Sequence, residues 1–396
     1  MQQDLPSSLP RPDAASAAHS EETAAYIREH VEAAGGSISF SEFMHHALYA
    51  PGLGYYTAGT TKFGEAGDFV TAPEVSSVFG RVLARQCAEV LGQVESAAIL
   101  EYGAGSGKLA VDMLRALEEL GALPSAYLIL EVSPDLRERE QAYIAEQIPA
   151  LADRVAWIDA VPDSHRGVIV ANEVLDSMPV ERFVRRDAGV MQLRVAVEND
   201  AFVFLEAPAA ENLALAVASI EKYLGETLPD GYTSEICLAI PPWIGGMAAA
   251  LREGMVFLFD YGGSRREYYA PERSEGWLRC HFRHRAHNDP LILPGIQDLT
   301  AWVDFTTVAR AAAAQGFDVA GYTPQAQFLM GGELEAEMRG FDTRTTAEQL
   351  ALSQEIKKLT LPGQMGERFK CIALRKGSIE TPTAFNLADR TPIINC

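Results

Sequence analysis

Between residues 75 and 171, stretches with helical spacing alternate strictly with short apolar runs, and no other feature constrains the fold of this chain as much. Residues 75–93 read as a helix, 96–101 (SAAILE) as a buried strand, 107–120 as a helix, 126–131 (AYLILE) as a strand and 133–147 as a helix. Residues 154–158 and 167–171 (GVIVA) then read as two more strands. Short connections between such elements demand parallel strands joined by right-handed helical crossovers, and ligands of such sheets gather at the carboxyl ends of the strands. The expected class is therefore α/β, a Rossmann-like sheet with helices on both faces. The rhythm returns with a helix near 241–253, a strand at 255–260, a helix at 304–315 and strands near 317–322 and 369–375.

Two stretches break that rhythm. Residues 182–206 contain three short alternating segments split by DAG and END turns, the pattern of an antiparallel meander. The 262–303 connection is rich in Arg, His and Pro and exceeds ordinary loop length, so it reads as a lid or site wall. At the other end, residues 1–20 read as a disordered tail, and 21–34 read as a helix stopped by Gly35-Gly36. A second short helix, opened by Ser39 or Ser41, ends at Pro51 and is followed by a Gly- and Tyr-rich irregular stretch up to Pro73. The expected organisation is a tail over 1–20, a helical cap and irregular lid over 21–75, and a Rossmann-like domain over 76–376. That domain carries an antiparallel insertion at about 181–206 and a second insertion at 262–303, and 377–396 form a C-terminal tail.

Composition narrows the partners. Lys plus Arg number 33 against 54 Asp plus Glu, a formal charge of −21, which works against binding driven by release of counterions from a phosphate backbone. Nucleic acid is excluded as a partner, and a basic, arginine-bearing protein suits the charge. Cys87, Cys237, Cys280, Cys371 and Cys396 are widely spaced with no CxxC pair, which points to free thiols in a reducing compartment. His281, His284 and His287 stand three apart beside Cys280, but Arg283 and Arg285 between them repel a cation, so no metal is expected. The first twenty residues lack the apolar core of a signal peptide, and no uninterrupted apolar run approaches the length of a membrane span. These features read as a cytoplasmic protein without membrane attachment, and they leave self-association as a homodimer open.

The sharpest local feature is Glu101-Tyr102-Gly103-Ala104-Gly105-Ser106-Gly107, which ends one expected strand and opens a helix. Its G-x-G-x-G spacing is one residue short of the dinucleotide fingerprint, and the residues of a triphosphate-binding loop are absent. With an acid two residues before the first glycine, the variant favours S-adenosylmethionine, whose amino and carboxylate groups can meet the backbone of the turn. Glu101 can organise that turn or face the ammonium group. Glu131 ends the next strand, where a carboxylate can accept from both hydroxyls of a ribose, or can cap the helix that starts near Ser133. Trp157 and Asp159 follow the third strand at the height of an adenine, with Asp159 either an acceptor from its amino group or a solvated turn residue. Asn172 and Glu173 end the fourth strand and Asp176 follows. Methyl transfer is an in-line displacement that needs a nucleophile held close and desolvated, and Glu173 and Asp176 are candidates to orient a nitrogen, the alternative being that Asp176 N-caps a helix and Glu173 closes a loop. Asp68, Thr71, Pro73 and Glu74 are assigned to the donor pocket, because no helical or strand periodicity explains the run that holds them.

These stretches together resemble the MidA-like family of S-adenosylmethionine-dependent methyltransferases, relatives of the mitochondrial complex I assembly arginine methyltransferase. The similarity is carried by Gly67 to Glu74 with Phe79-Gly80, the Glu101 to Gly107 turn with Leu109 and Asp112, Glu131-Val132-Ser133-Pro134, and Ala171-Asn172-Glu173 with Asp176 and Pro179. Further on it is carried by Phe259-Asp260-Tyr261-Gly262, Leu278-Arg279-Cys280, His284-Arg285, Asp289-Pro290, Pro294-Gly295, Asp298, Thr300 and Val303-Asp304-Phe305. The resemblance implies a class I methyltransferase fold with S-adenosylmethionine as donor. For mitochondrial members it implies symmetric dimethylation of an arginine on a respiratory complex I subunit. This chain has Trp302 where relatives often carry His, so no role of that His carries over. A non-catalytic assembly protein that retains the donor pocket is the alternative expectation.

Overall fold

Runs such as Ile99-Leu100 and Val168-Ile169-Val170 are buried throughout, as strands must be when helices cover both faces of a sheet. The structure, a computed structural model, describes residues 9–58 and 71–394. Its larger sheet contains β1 (Ala98–Tyr102), β2 (Tyr127–Leu130), β3 (Val155–Ile158), β4 (His165–Asn172), β5 (Leu251–Gly263), β6 (Asp318–Pro324) and β7 (Phe369–Lys376). In space they run β6-β7-β5-β4-β1-β2-β3. The pairs from β5 through β3 are parallel, and β7 lies antiparallel to both β5 and β6. Strand order reverses between β1 and β4, where Tyr102 pairs with Ala171, and such a switch point opens a crevice at the carboxyl ends. This is the expected α/β class, with the helices Ser77–Leu91, Lys108–Glu119 and Pro134–Gln147 at the expected places.

The chain divides into two compact units. The larger sheet belongs to the unit made of Val70–Val174, Pro241–Ser264 and Asp304–Cys396. Its core joins Phe79, Leu83, Met113, Leu114, Ile129, Val170, Phe257 and Phe328. Residues expected as a C-terminal tail belong to this core, which corrects the reading of 377–396 as far as Ile394. Ile379, Ala384 and Phe385 are buried, the Ala384 N–H donates to Gln86 Oε1 at 2.7 Å, and the Arg390 N–H donates to the Tyr322 carbonyl at 2.6 Å. The segment lacks helical or strand periodicity, so only its docking against the rest of the chain gives it a place.

The other unit comprises the described residues of Met1–Phe69 together with Leu175–Ile240 and Arg265–Val303. The meander appears as the strands Glu181–Arg186, Gly189–Glu198 and Ala201–Pro208, extended to five strands by Ser37–Ser39 and Thr233–Ile236. Ser37–Ser39 pairs with Arg194–Ala196, and Phe40, Phe43 and Leu48 share a core with Val195 and Phe202. Residues 21–58 of the cap and the insertions are therefore parts of one unit, while Thr71–Val75 belong to the other, which corrects the division into a cap over 21–75 and a single domain over 76–376. The tail reading over 1–20 is corrected from Ala14 onward, because a helix spans Ala14–Ala33. Asp13 accepts from the Ser16 N–H at 2.9 Å as its N-cap, and the alanine-rich run that follows has the highest helix propensity available. The 262–303 stretch contains a small antiparallel sheet of Arg279–Phe282, Arg285–His287 and Asp298–Thr300. Trp302 stacks on Trp277 with ring centroids 3.6 Å apart, so it serves as aromatic packing.

Phe385→Ala should remove a core ring from the larger unit. A loss of about 3–5 kcal/mol is expected, read as a clear fall in the thermal unfolding midpoint of that unit.

Candidate active site

The turn after β1 is left-handed at Gly103 (φ 64°), Gly105 (φ 63°) and Gly107 (φ 78°). Side chains are strained in that region, so three glycines in alternate positions allow a loop that no other residue type would form at low cost. A Cβ on Gly103 would come within 3.3 Å of Val174 Cγ2, so the turn lies directly against the chain leaving β4. The Gly103 N–H donates to the Leu130 carbonyl at 3.0 Å, which binds the turn to the end of β2.

Glu101 lies beneath this turn, almost wholly buried, and accepts from the Tyr127 hydroxyl at 2.7 Å. Burial pushes its carboxyl up to about 7, with the neighbouring Glu131 adding to the rise and the tyrosine opposing it. Its surroundings suit the organising role of the two considered. Glu131 accepts from the Ser133 N–H at 2.8 Å and from the Val132 and Gly105 N–H groups. Burial raises its pKa and these backbone donors hold it down. Ser133 is itself the cap of the helix Pro134–Gln147, so Glu131 is tied to both the turn and the helix start. Beside it opens a cavity of about 580 Å³ lined by Leu130, Glu131, Val132, Pro134, Arg137 and Asp159, among others. Asp159 is largely exposed and pairs with Arg137 at 2.6 Å, so an adenine amino group would share it with that guanidinium.

The run after Thr71 folds as a short helical turn, Ala72–Val75, with Thr71 at its N-cap position. Glu74 accepts from the Ser106 hydroxyl of the glycine turn, and Lys108 Nζ reaches the Pro73 carbonyl at 2.5 Å. At the same turn the Ala72 N–H donates to Glu173 Oε1 at 3.2 Å. Glu173 is in a left-handed conformation (φ 54°), costing about 1–3 kcal/mol for a residue with a side chain. Its own N–H donates to the Phe259 carbonyl at 2.9 Å, which ties this strained position to β5. Asn172 Nδ2 donates to Glu173 Oε1 at 3.2 Å, while Asn172 Oδ1 is buried with no protein donor.

The structure thus gathers Glu101, Gly103, Gly105, Gly107, Glu131, Thr71, Pro73, Glu74, Asn172 and Glu173 at the carboxyl ends of β1, β2 and β4. Asp176 falls in the other unit, where the Ala301 N–H donates to its carbonyl at 2.9 Å. A turn follows Asp176, so the N-cap alternative for it does not hold. Asp68 lies outside the described residues. Glu140 carries no signal of its own in the sequence. It is buried on the helix Pro134–Gln147 and accepts from Trp157 Nε1 at 2.7 Å. Its isolation among Arg139, Glu138 and Gln141 reads as a solvated helix face, and only the packing against β3 turns it inward.

Residues 82–323 match the family described as "Putative S-adenosyl-L-methionine-dependent methyltransferase". The chain belongs to this family. A protein of known crystal structure, described as a likely methyl transferase from Burkholderia thailandensis and bound to S-adenosyl-homocysteine, is 39% identical to it, with 97% of this chain and 100% of that chain covered and a TM-score of 0.91. Among curated relatives, "Protein arginine methyltransferase NDUFAF7, mitochondrial" of Mus musculus is 29% identical over 375 residues, covering 86% of this chain and 81% of the relative. Its Danio rerio counterpart is 26% identical over 370 residues, covering 85% and 83%. The family and its bound relative make this protein an S-adenosylmethionine-dependent methyltransferase. The expected cytoplasmic placement is corrected by these curated relatives, which are named as mitochondrial. Charge and hydropathy report what a fold needs from water, and that need does not differ between aqueous compartments. Among the described residues no helix is long and apolar enough to cross a membrane.

The residues present fit the donor of this family. The left-handed glycines leave a cradle without Cβ atoms, and Asn172 Oδ1 is a buried acceptor with no donor from the protein.

Glu101 supplies a pH test. Its folded value of about 7 exceeds the ordinary 4.5, so its stabilising contribution is complete below pH 4.5 and is lost as pH rises to about 7. Glu101→Gln should therefore flatten the fall of the unfolding midpoint across that window by one proton's share, as measured by scanning fluorimetry.

Proposed function

We propose that this methyltransferase acts on a nitrogen of an arginine side chain in a protein substrate. The observation that carries this reading is the strained Glu173 at the end of β4, whose carboxylate is oriented by the Ala72 N–H and Asn172 Nδ2. A carboxylate in a fixed orientation suits a guanidinium, which presents paired N–H donors in one plane. The curated relatives, named protein arginine methyltransferases, support the same choice, and a chain of net charge −21 favours an arginine-bearing partner.

In this reading the glycine turn holds the methionine end of the donor, with Asn172 Oδ1 accepting from its ammonium group, and Glu131 accepts from the ribose hydroxyls. Glu74, Thr71 and Pro73 act through the turn, since Glu74 and Lys108 bind the Ala72–Val75 segment to it. When bound, S-adenosylmethionine supplies a methyl group on a sulfonium centre. Glu173 holds the guanidinium so that one nitrogen is directed at the donor, and takes the proton that this nitrogen releases. The desolvated site strengthens that interaction, because charges attract more strongly where water is excluded. A respiratory complex I subunit is the substrate class to assay first, with symmetric dimethylarginine as the product to seek.

The test is transfer of isotope-labelled methyl groups to arginine-bearing protein, with the modified atom located by tandem mass spectrometry. Methylarginine is expected, and methylation of another residue type or only of small molecules would sink the reading. Glu173→Gln should lower turnover by about a hundredfold or more while S-adenosylhomocysteine still binds. Gly105→Val and Glu131→Ala should instead weaken binding itself, as read by titration calorimetry.

A further inference from the structure

Behind Glu131 stands a second carboxylate. Glu140 has no exposed surface, and the Trp157 indole of β3 donates to its Oε2 at 2.7 Å. Its Oε1 is enclosed with no N–H or O–H donor from another residue, and the Glu140 and Glu131 carboxyl groups meet in a hydrogen-bonding contact. Two carboxylates can share a hydrogen bond only when one of them carries a proton. Glu131 receives the N–H groups of Ser133, Val132 and Gly105, all of which favour its ionised form. Glu140 receives a single donor, and burial together with the charge of Glu131 drives its pKa upward. The other titratable groups facing it are Glu101 on β1, which adds to that rise, and Tyr127 on β2. The proton therefore resides on Glu140.

We propose that Glu140 is a positioning residue of the donor site, whose carboxyl proton is given to Glu131 so that the remaining acceptor positions of Glu131 meet the two ribose hydroxyls. The inference rests on the reading of Glu131 as the ribose acceptor. One negative charge is then held in place of two, and the Trp157 indole keeps the donor from rotating away. Loss of the shared proton sets two carboxylates against each other in a poorly solvated pocket, and Glu131 loses the contact that aims it. Affinity for a ribose-bearing ligand is thus constant while Glu140 is protonated and falls as pH rises through its titration, by up to about tenfold per pH unit.

The experiment is titration calorimetry of the full chain with S-adenosylhomocysteine and with its 2′-deoxyribose analogue, between about pH 7 and 10, a span that covers titration of a strongly raised carboxyl. Wild type should bind S-adenosylhomocysteine more weakly at the alkaline end. Glu140→Gln keeps a donor towards Glu131, and should stay within about threefold of wild type at neutral pH while losing the alkaline decline. Glu140→Leu should weaken S-adenosylhomocysteine about tenfold or more, and the deoxy analogue less. Wild-type affinity in Glu140→Leu, or an unchanged alkaline decline in Glu140→Gln, overturns the proposal. Should the leucine variant fail to fold, the pH profile of the glutamine variant decides alone. Glu131→Ala separates the two claims, because unchanged affinity there overturns the ribose reading itself, whereas weakened binding beside a neutral Glu140→Leu overturns only the role of Glu140.

Discussion

The left-handed turn at Gly103, Gly105 and Gly107 is the constraint on which the site depends. A parallel sheet brings several strand ends to one edge, but it does not say how the chain should leave them. Here the chain turns so tightly that backbone N–H groups and a serine hydroxyl become available to neighbouring carboxylates. One link runs from the Gly105 N–H to Glu131 and on through Glu140 to Trp157. The other runs from Ser106 to Glu74, whose helical turn presents the Ala72 N–H to Glu173. Any side chain at the glycines would strain the turn and disturb both links together.

The two links divide the work of the site. The first concerns acids withdrawn from water, where Glu101, Glu131 and Glu140 crowd around Tyr127 and Trp157. Such crowding is costly unless protons neutralise part of it, and burial raises all three acids for that reason. The second is a backbone device, in which strain at Glu173 is held by the Phe259 carbonyl on one side and the Ala72 N–H on the other. Strain of this kind persists where surrounding structure over-determines it, and it recurs at reacting centres.

Much of this is legible in the sequence. The β1–β4 strands and their helices follow from apolar runs and helical spacing, and the glycine turn announces itself by a composition that only left-handed backbone requires. Glu131 and Glu173 stand out in the sequence by their places at strand ends. Other features were not legible for physical reasons. Residues 377–394 have no periodicity of their own and acquire order only by docking Phe385 and Ile379 into the core. Ala14 to Ser20 resemble a tail in composition, and their helix depends on the cap at Asp13. Glu140 sits in a charged helical stretch that reads as solvent-facing.

The sequence by itself determined the α/β class, the place of the glycine turn and the acids at the strand ends, because these depend on local periodicity and on backbone conformations open to few residue types. Tertiary structure alone decided that the N-terminal helices share a body with the meander, that Asp176 and Glu173 belong to different units, and that Glu140 stands behind Glu131. Those outcomes depend on which distant surfaces pack together, and packing is set by the sum of many weak contacts that no short stretch of sequence encodes.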